Sequence, residues 1–241
     1  MSREHLLVEF VGLPASGKTH FAETVKRRLD SDLEVPITTA SEKRRDRRMP
    51  IIGMLIIGTL LAAPGRALMA GSDLRRTQQT RRRHLVRYWL YHLYLCAEWL
   101  RIGRNHEVHL SDQGFIQHVW RVRLTAADMA VDDVERFLHR HLVRTPDLVV
   151  FVEVDHQTRM QRGCERGTPV DPKHFDADHP AIKRDQQAYE DVKAAVLALA
   201  SEEDGPATIV VENTAAALDR NAETVAETVV RNYRANLDST A

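Results

Sequence analysis

Apolar residues along this chain fall into two kinds of run. Short runs alternate with longer stretches in which apolar positions recur every three to four residues. Leu6, Leu7, Val8, Phe10 and Val11 make the first short apolar run, the pattern of a strand buried on both faces. Phe21, Val25 and Leu29 follow at i, i+4 and i+8, one face of a helix. Leu33 to Ile37 predicts a second strand, Val108 to Leu110 a third, Asp147 to Val154 a fourth and Thr208 to Val211 a fifth. Between and after them, Val134, Phe137, Leu138 and Leu142 predict a helix starting near Asp132. Tyr189, Val192, Val196 and Leu199 predict another, and Leu218, Ala222, Val225, Val229 and Tyr233 a C-terminal one. Strands that alternate with helices imply a mainly parallel sheet covered on both faces. The expected fold is a three-layer α/β domain over residues 1–241 with a sheet of five strands.

Residues 42–104 interrupt this alternation as a helical insertion between the second and third strands. From Leu85 to Leu100 the sequence is apolar or aromatic nearly all round, with Tyr88, Trp89, Tyr91, Tyr94 and Trp99. A helix apolar on every side is expected to be buried on every side, with one or two of these rings left to line a pocket. Met49 to Ala63 is apolar apart from Thr59 and continues to Met69. It falls short of the roughly 20 apolar residues that a bilayer requires, and Pro50, Gly53, Gly58 and Pro64-Gly65 divide it. The expectation is a helical hairpin folded onto the 85–100 helix. A peripheral membrane contact through Arg44, Arg45, Arg47 and Arg48 is the competing reading.

Charge adds little: 34 basic residues balance 34 acidic ones, so nothing global calls for nucleic acid or a membrane. Two cysteines, Cys96 and Cys164, form no framework, and Met1 to His5 lead straight into the first strand without room for a signal peptide. A cytoplasmic location is therefore expected.

The chemistry begins at Gly12-Leu13-Pro14-Ala15-Ser16-Gly17-Lys18-Thr19, the G-x-x-x-x-G-K-[ST] phosphate loop. It lies between a predicted strand and a predicted helix. Backbone N–H groups of Gly12, Pro14–Gly17 and their neighbours cradle phosphates where side chains leave room, proline supplying shape but no donor. Lys18 reaches the β- and γ-phosphates, and the Thr19 hydroxyl serves Mg²⁺. ATP and Mg²⁺ are the expected cofactors.

Three further segments resemble nucleotide kinases of the thymidylate and deoxynucleoside kinase type. Asp112-Gln113-Gly114 follows the third strand, where that family carries an acidic residue followed by Arg; Gln113 departs from the pattern. Thr145-Pro146-Asp147 and the apolar run to Asp155 are similar to the family's fourth strand. Arg159 to Gly167, with Arg159, Arg162 and Arg166 at i, i+3 and i+7, is similar to its arginine-bearing lid, here placed at about 156–180. The resemblance implies a small-molecule kinase. Asp112 would act as general base or Mg²⁺ ligand, the three arginines would meet phosphate charge, and Asn213 would lie by the adenine. Lys18, Asp112 and the arginines form the expected catalytic set, with Thr19 and Asp112 as the metal pair.

Glu42 is a secondary acceptor-side candidate, and Arg75, Arg76, Arg81, Arg82 and Arg83 form a basic run suited to an anionic acceptor or to solvent. The histidines, among them His139, His141, His174 and His179, show no metal spacing. The expected partner is a small-molecule acceptor; nucleic acid and membrane are not expected, and homodimerisation stays open. The alternative is a P-loop ATPase or nucleotide-dependent switch whose insertion binds a partner or membrane surface. GTPase D-x-x-G and N-K-x-D motifs are missing, since Asn213 runs into Thr214-Ala215.

Overall fold

The computed structural model describes residues 5–40, 49–102, 107–165 and 179–238. Strand β1 (Leu6–Val11) is followed by helix α1 (Lys18–Asp32), and β2 (Ile37–Thr39) by the insertion helices α2 (Met49–Ala62), α3 (Pro64–Arg76) and α4 (Arg82–Ile102). Strand β3 (Val108–Ser111) leads to α5 (Phe115–Thr125) and α6 (Val131–His141). Strand β4 (Leu148–Glu153) leads to α7 (His156–Glu165) and α8 (Pro180–Ala200), and β5 (Ala207–Glu212) to α9 (Leu218–Asp238). The five strands are all parallel in the order β2-β3-β1-β4-β5. The fold is a three-layer α/β fold, an all-parallel sheet with helices on both faces.

Alternation along β1 explains the layers. Leu6, Val8 and Phe10 pack with Val25, Leu29, Val225 and Val229, joining α1 and α9 to one face. Leu7 and Val11 pack with Ile116, Val119, Val192 and Val196, joining α5 and α8 to the other. The central strands β1 and β4 are covered on both faces, which is why they read as apolar runs, interrupted inside β1 only by Glu9. Asp147 secures the start of β4. Its carboxylate accepts the Leu7 N–H at 2.7 Å and an Arg144 N–H at 2.9 Å.

Three sequence expectations shift. Strand β2 begins at Ile37 rather than Leu33, because the Leu33 N–H is used at the end of α1, on the Leu29 carbonyl, and Pro36 has no N–H to offer a ladder. Residues 49–76 are two full helices with a bend of 103° between them, rather than a hairpin of short pieces divided at each glycine. The helix runs through Gly53 and Gly58, and only Ala63-Pro64 breaks it. Helix α4 is not buried all round: Tyr94, Cys96 and Trp99 are in the core, whereas Val86, Leu90 and Leu100 are exposed. Among the described residues no single helix is long and apolar enough to cross a membrane, although the bent α2–α3 pair passes by length and composition together.

Candidate active site

The loop joining β1 to α1 closes over itself through positive backbone angles. Ala15 has φ 63° and Gly17 has φ 83°, which turn successive N–H groups toward one concavity, an arrangement suited to an anion. Gly17 is fixed by more than its φ. A Cβ there would lie 2.5 Å from the Asn213 amide nitrogen and 3.1 Å from an Arg162 nitrogen. At Gly12 a Cβ would meet the Ser16 hydroxyl and the Val152 carbonyl, each at 2.6 Å. Neither glycine can be exchanged without opening the loop.

Outside partners hold the loop from three directions. The Ser16 carbonyl accepts from the Asn213 side-chain amide at 2.7 Å and from Arg162 at 3.0 Å, and the other Arg162 nitrogen donates to the Asn213 carbonyl at 2.8 Å. Gly12 N–H donates to the Gln117 side chain at 3.1 Å. Thus β5 and α7 clamp one flank of the loop and α5 the other. Asn213 and Arg162 use the groups described here on loop backbone. Their positions, just past β5 and on α7, put them against the phosphate loop; the expectation had Arg162 in a lid and Asn213 by the adenine.

Asp112, buried at the end of β3, accepts the Thr19 hydroxyl at 2.6 Å across 93 residues of sequence. Two oxygen ligands of the kind a hard dication takes thus stand together at the mouth of the loop, so the residues present fit the expected Mg²⁺. Lys18 opens α1 and is half-buried beside them. Arg159, on α7, is buried and touches His156 Nδ1 at 3.2 Å and Asp185 at 4.0 Å. Two of its guanidinium nitrogens, Nε and Nη1, have no hydrogen-bond partner. Burial pulls this group below its ordinary pKa, with Asp185 opposing. It lines a small cavity of about 130 Å³ with Leu13 and Ser16 of the loop. Arg166, Glu42 and Arg44, Arg45, Arg47 and Arg48 lie outside the described residues.

A far larger cavity, about 1050 Å³, opens on the other side of the loop. Pro14 and Gln113 bound it on the phosphate-loop side, and the insertion forms its walls: Ile52 and Ile56 from α2, Tyr88 and Tyr91 from α4, with Trp120 from α5. Tyr91 donates its hydroxyl to the Gln113 carbonyl at 2.8 Å, and Arg121 donates to the Gln113 side chain at 3.3 Å while lying over the Tyr91 ring at 5.7 Å. A guanidinium therefore stands beside Gln113 although residue 113 itself is not Arg. Thr59, the lone polar side chain in the middle of α2, turns back to the Leu55 carbonyl and toward the Leu93 carbonyl of α4. Trp89 ties α4 to α3 through the Ala67 carbonyl at 2.8 Å.

The sequence reading missed Gln117, Arg121 and above all Glu9. Glu9 is fully buried on β1, on the face that packs against α5, and its carboxyl accepts the Gln117 N–H at 3.0 Å. Burial pushes its pKa up to about 8, against the pull of backbone N–H groups of Gln117, Ile116 and Phe115 at the start of α5. A single carboxylate inside an otherwise apolar strand was the available signal, since charged residues are almost never fully buried without a partner. No group of three or more histidine, cysteine or carboxylate residues suited to a metal occurs among the described residues.

No family model matches this chain. No curated protein matches it either. Among solved structures, deoxyadenosine kinase from M. mycoides, with bound dCTP, aligns over 92% of this chain and 98% of its own at 12% identity, with a TM-score of 0.47. A likeness that distant leaves the site to be judged on its own geometry.

Proposed function

We propose that this chain is an ATP-dependent phosphotransferase that passes the γ-phosphoryl group to a small-molecule acceptor bound under the α2–α4 insertion. One observation carries the reading: the 1050 Å³ cavity ends on Pro14 of the phosphate loop and on Gln113, the neighbour of Asp112. A molecule filling it would abut the position of a terminal phosphate. Phosphoryl transfer asks for placement and charge cancellation more than for covalent work by the protein, and the residues divide accordingly. Backbone N–H groups and Lys18 would hold the phosphates, with the loop kept in shape by Asn213, Arg162 and Gln117. Mg²⁺ held by Thr19 and Asp112 would supply neutralisation of phosphate charge. Arg159, with two donors that make no hydrogen bond beside the loop, suits charge that develops on the moving group.

The test is transfer from γ-labelled ATP across a panel of acceptors, with Lys18→Ala alongside. Acceptor-dependent labelling, reduced at least about 10²-fold in the variant with an unchanged melting temperature, is the expected result. Hydrolysis that ignores every acceptor, or equal labelling by the variant, refutes it.

A further inference from the structure

We infer that the acceptor is an anionic amphiphile: a phosphate monoester on a hydrocarbon chain, converted to the diphosphate. The inference rests on the kinase reading above and concerns the same cavity.

Its wall chemistry is lopsided. Tyr94, Leu124, Val86 and Leu90 extend the apolar and aromatic lining already named, and the charged lining residues are Arg83, Arg87 and Arg121, with no carboxylate. Among the described residues none of these three arginines forms an ion pair with an acidic side chain. Surplus cationic charge without a counter-charge fits an anionic ligand, and guanidinium geometry matches phosphate oxygens in pairs. The charge is divided. Arg121 sits on the phosphate-loop side, on Gln113 and over Tyr91, whereas Arg83 and Arg87 lie beside Val86 on the exposed part of α4. From the Arg121 side the apolar wall leads outward along Ile52 and Ile56 to Val86 and Leu90, which are exposed at the mouth. A head of one or two phosphates needs only the phosphate-loop side. The volume exceeds the roughly 300–1000 Å³ usual for small-ligand sites, which leaves most of it to an apolar body.

Helix α2 extends this surface beyond the cavity. None of its 14 residues, Met49–Ala62, is charged. One face lines the cavity, whereas Met54, Ile57 and Leu61 are 66%, 56% and 79% exposed. An apolar face left in water beside the mouth of an apolar cavity suits a chain longer than the cavity. A phosphate monoester also suits the reacting end. Its oxygen is already anionic, so attack on the γ-phosphorus needs no proton removed, and the Asp112 carboxylate remains with Thr19. The new bond joins that oxygen to the γ-phosphorus. The bond from the γ-phosphorus to the bridging oxygen of ADP breaks, and its electron pair leaves with ADP.

The experiment measures binding and labelling for n-alkyl monophosphates of two to twelve carbons, kept below their micelle concentrations. The corresponding alcohols and a set of nucleosides and nucleoside monophosphates serve as comparators. Affinity is expected to rise by about fourfold per added methylene until the cavity is filled, with labelling of the phosphates and none of the alcohols. Arg121→Gln should weaken the phosphates at least about tenfold while leaving alcohol binding unchanged. Ile56→Asp should flatten the chain-length dependence; where this variant fails to fold, Ile56→Ala should shallow it. Alkyl phosphate embedded in phosphatidylcholine vesicles distinguishes the source. Labelling of both presentations marks a dispersed amphiphile, and labelling of the vesicle form alone marks a membrane-borne one. Lys18-dependent labelling of a nucleoside or nucleotide, without binding of alkyl phosphates, overturns this inference and leaves the kinase reading standing. Chain-length-dependent binding with no labelling of anything overturns the kinase reading and the acceptor role together.

Discussion

Replacing Glu9 by Gln tests the most unusual electrostatic feature of the core. The carboxyl is wholly buried, and two forces compete for its proton. The three N–H groups at the start of α5 favour the anion, as any helix N-terminus does by about 0.3–2 kcal/mol. Desolvation of a carboxylate costs several kcal/mol and wins, so the pKa rises from 4.5 to about 8. Between those two values the folded protein holds a proton that the unfolded chain has released. Stability therefore falls as pH rises through this window, at 1.36 kcal/mol per pH unit, and levels off above pH 8. The full span amounts to about 5 kcal/mol. Gln has the same size, keeps an acceptor for the Gln117 N–H and carries no charge at any pH. Its second polar atom stands where Glu9 Oε2 already lacks a partner, so little is lost there. Urea unfolding of both proteins at pH 5, 6, 7, 8 and 9 gives the difference in stability at each pH. That difference should move in favour of Glu9→Gln by several kcal/mol from pH 5 to pH 8. Other titrating groups cancel in the subtraction. A difference independent of pH refutes the reasoning. One that moves against the variant as pH rises means that the helix N-terminus outweighs desolvation and Glu9 is an anion.

Asp112→Asn should lower turnover at least about 10²-fold, because Asn keeps a contact for Thr19 but not the charge; full activity with a lowered melting temperature would reduce Asp112 to a structural partner. Asn213→Ala should weaken ATP binding about tenfold, the effect of one buried hydrogen bond to the loop, while leaving acceptor affinity at saturating ATP unchanged; equal loss for both ligands in equilibrium binding would refute its role in shaping the loop. Burial pulls His92 down to about 3 and His118 well below its ordinary value, so both are neutral when folded and bind protons only on unfolding. Each costs about 1.36 kcal/mol of stability per unit as pH drops below about 6.5, a loss that the Glu9 proton opposes, so the difference between His118→Gln and the parent protein should move in favour of the variant by about that amount per unit in denaturant titrations; a difference independent of pH would mean that His118 is not held neutral.

The sequence by itself determined the sheet and the loop, because the forces that make them are local or strictly patterned. The apolar runs at 6–11, broken only by Glu9, and at 148–152 have the pattern of strands covered on both faces. The phosphate loop is a consequence of two glycines, one lysine and one threonine at fixed spacing. Asp112 was legible for the same reason, since it ends a short strand and its position follows from the strand. The insertion was legible as helical and apolar, but not as a wall. Periodicity cannot tell a helix face that meets protein from one that meets a cavity, as both are apolar, so Val86 and Leu90 on α4 read as core. Only the packing of α2, α4 and α5 around empty space separated them from Cys96 and Trp99. Tertiary structure alone also decided which charges matter. Arginine is common throughout this chain, and nothing near Arg121 in sequence distinguishes it from Arg123, which pairs with Asp191. The two part company because successive odd positions on α5 meet different neighbours, Gln113 and the cavity for one and α8 for the other. Glu9 is the limiting case. Its residue type argues for a surface and its strand for the core, and the contest is settled by α5, whose first N–H groups stand across from it 108 residues further along the chain.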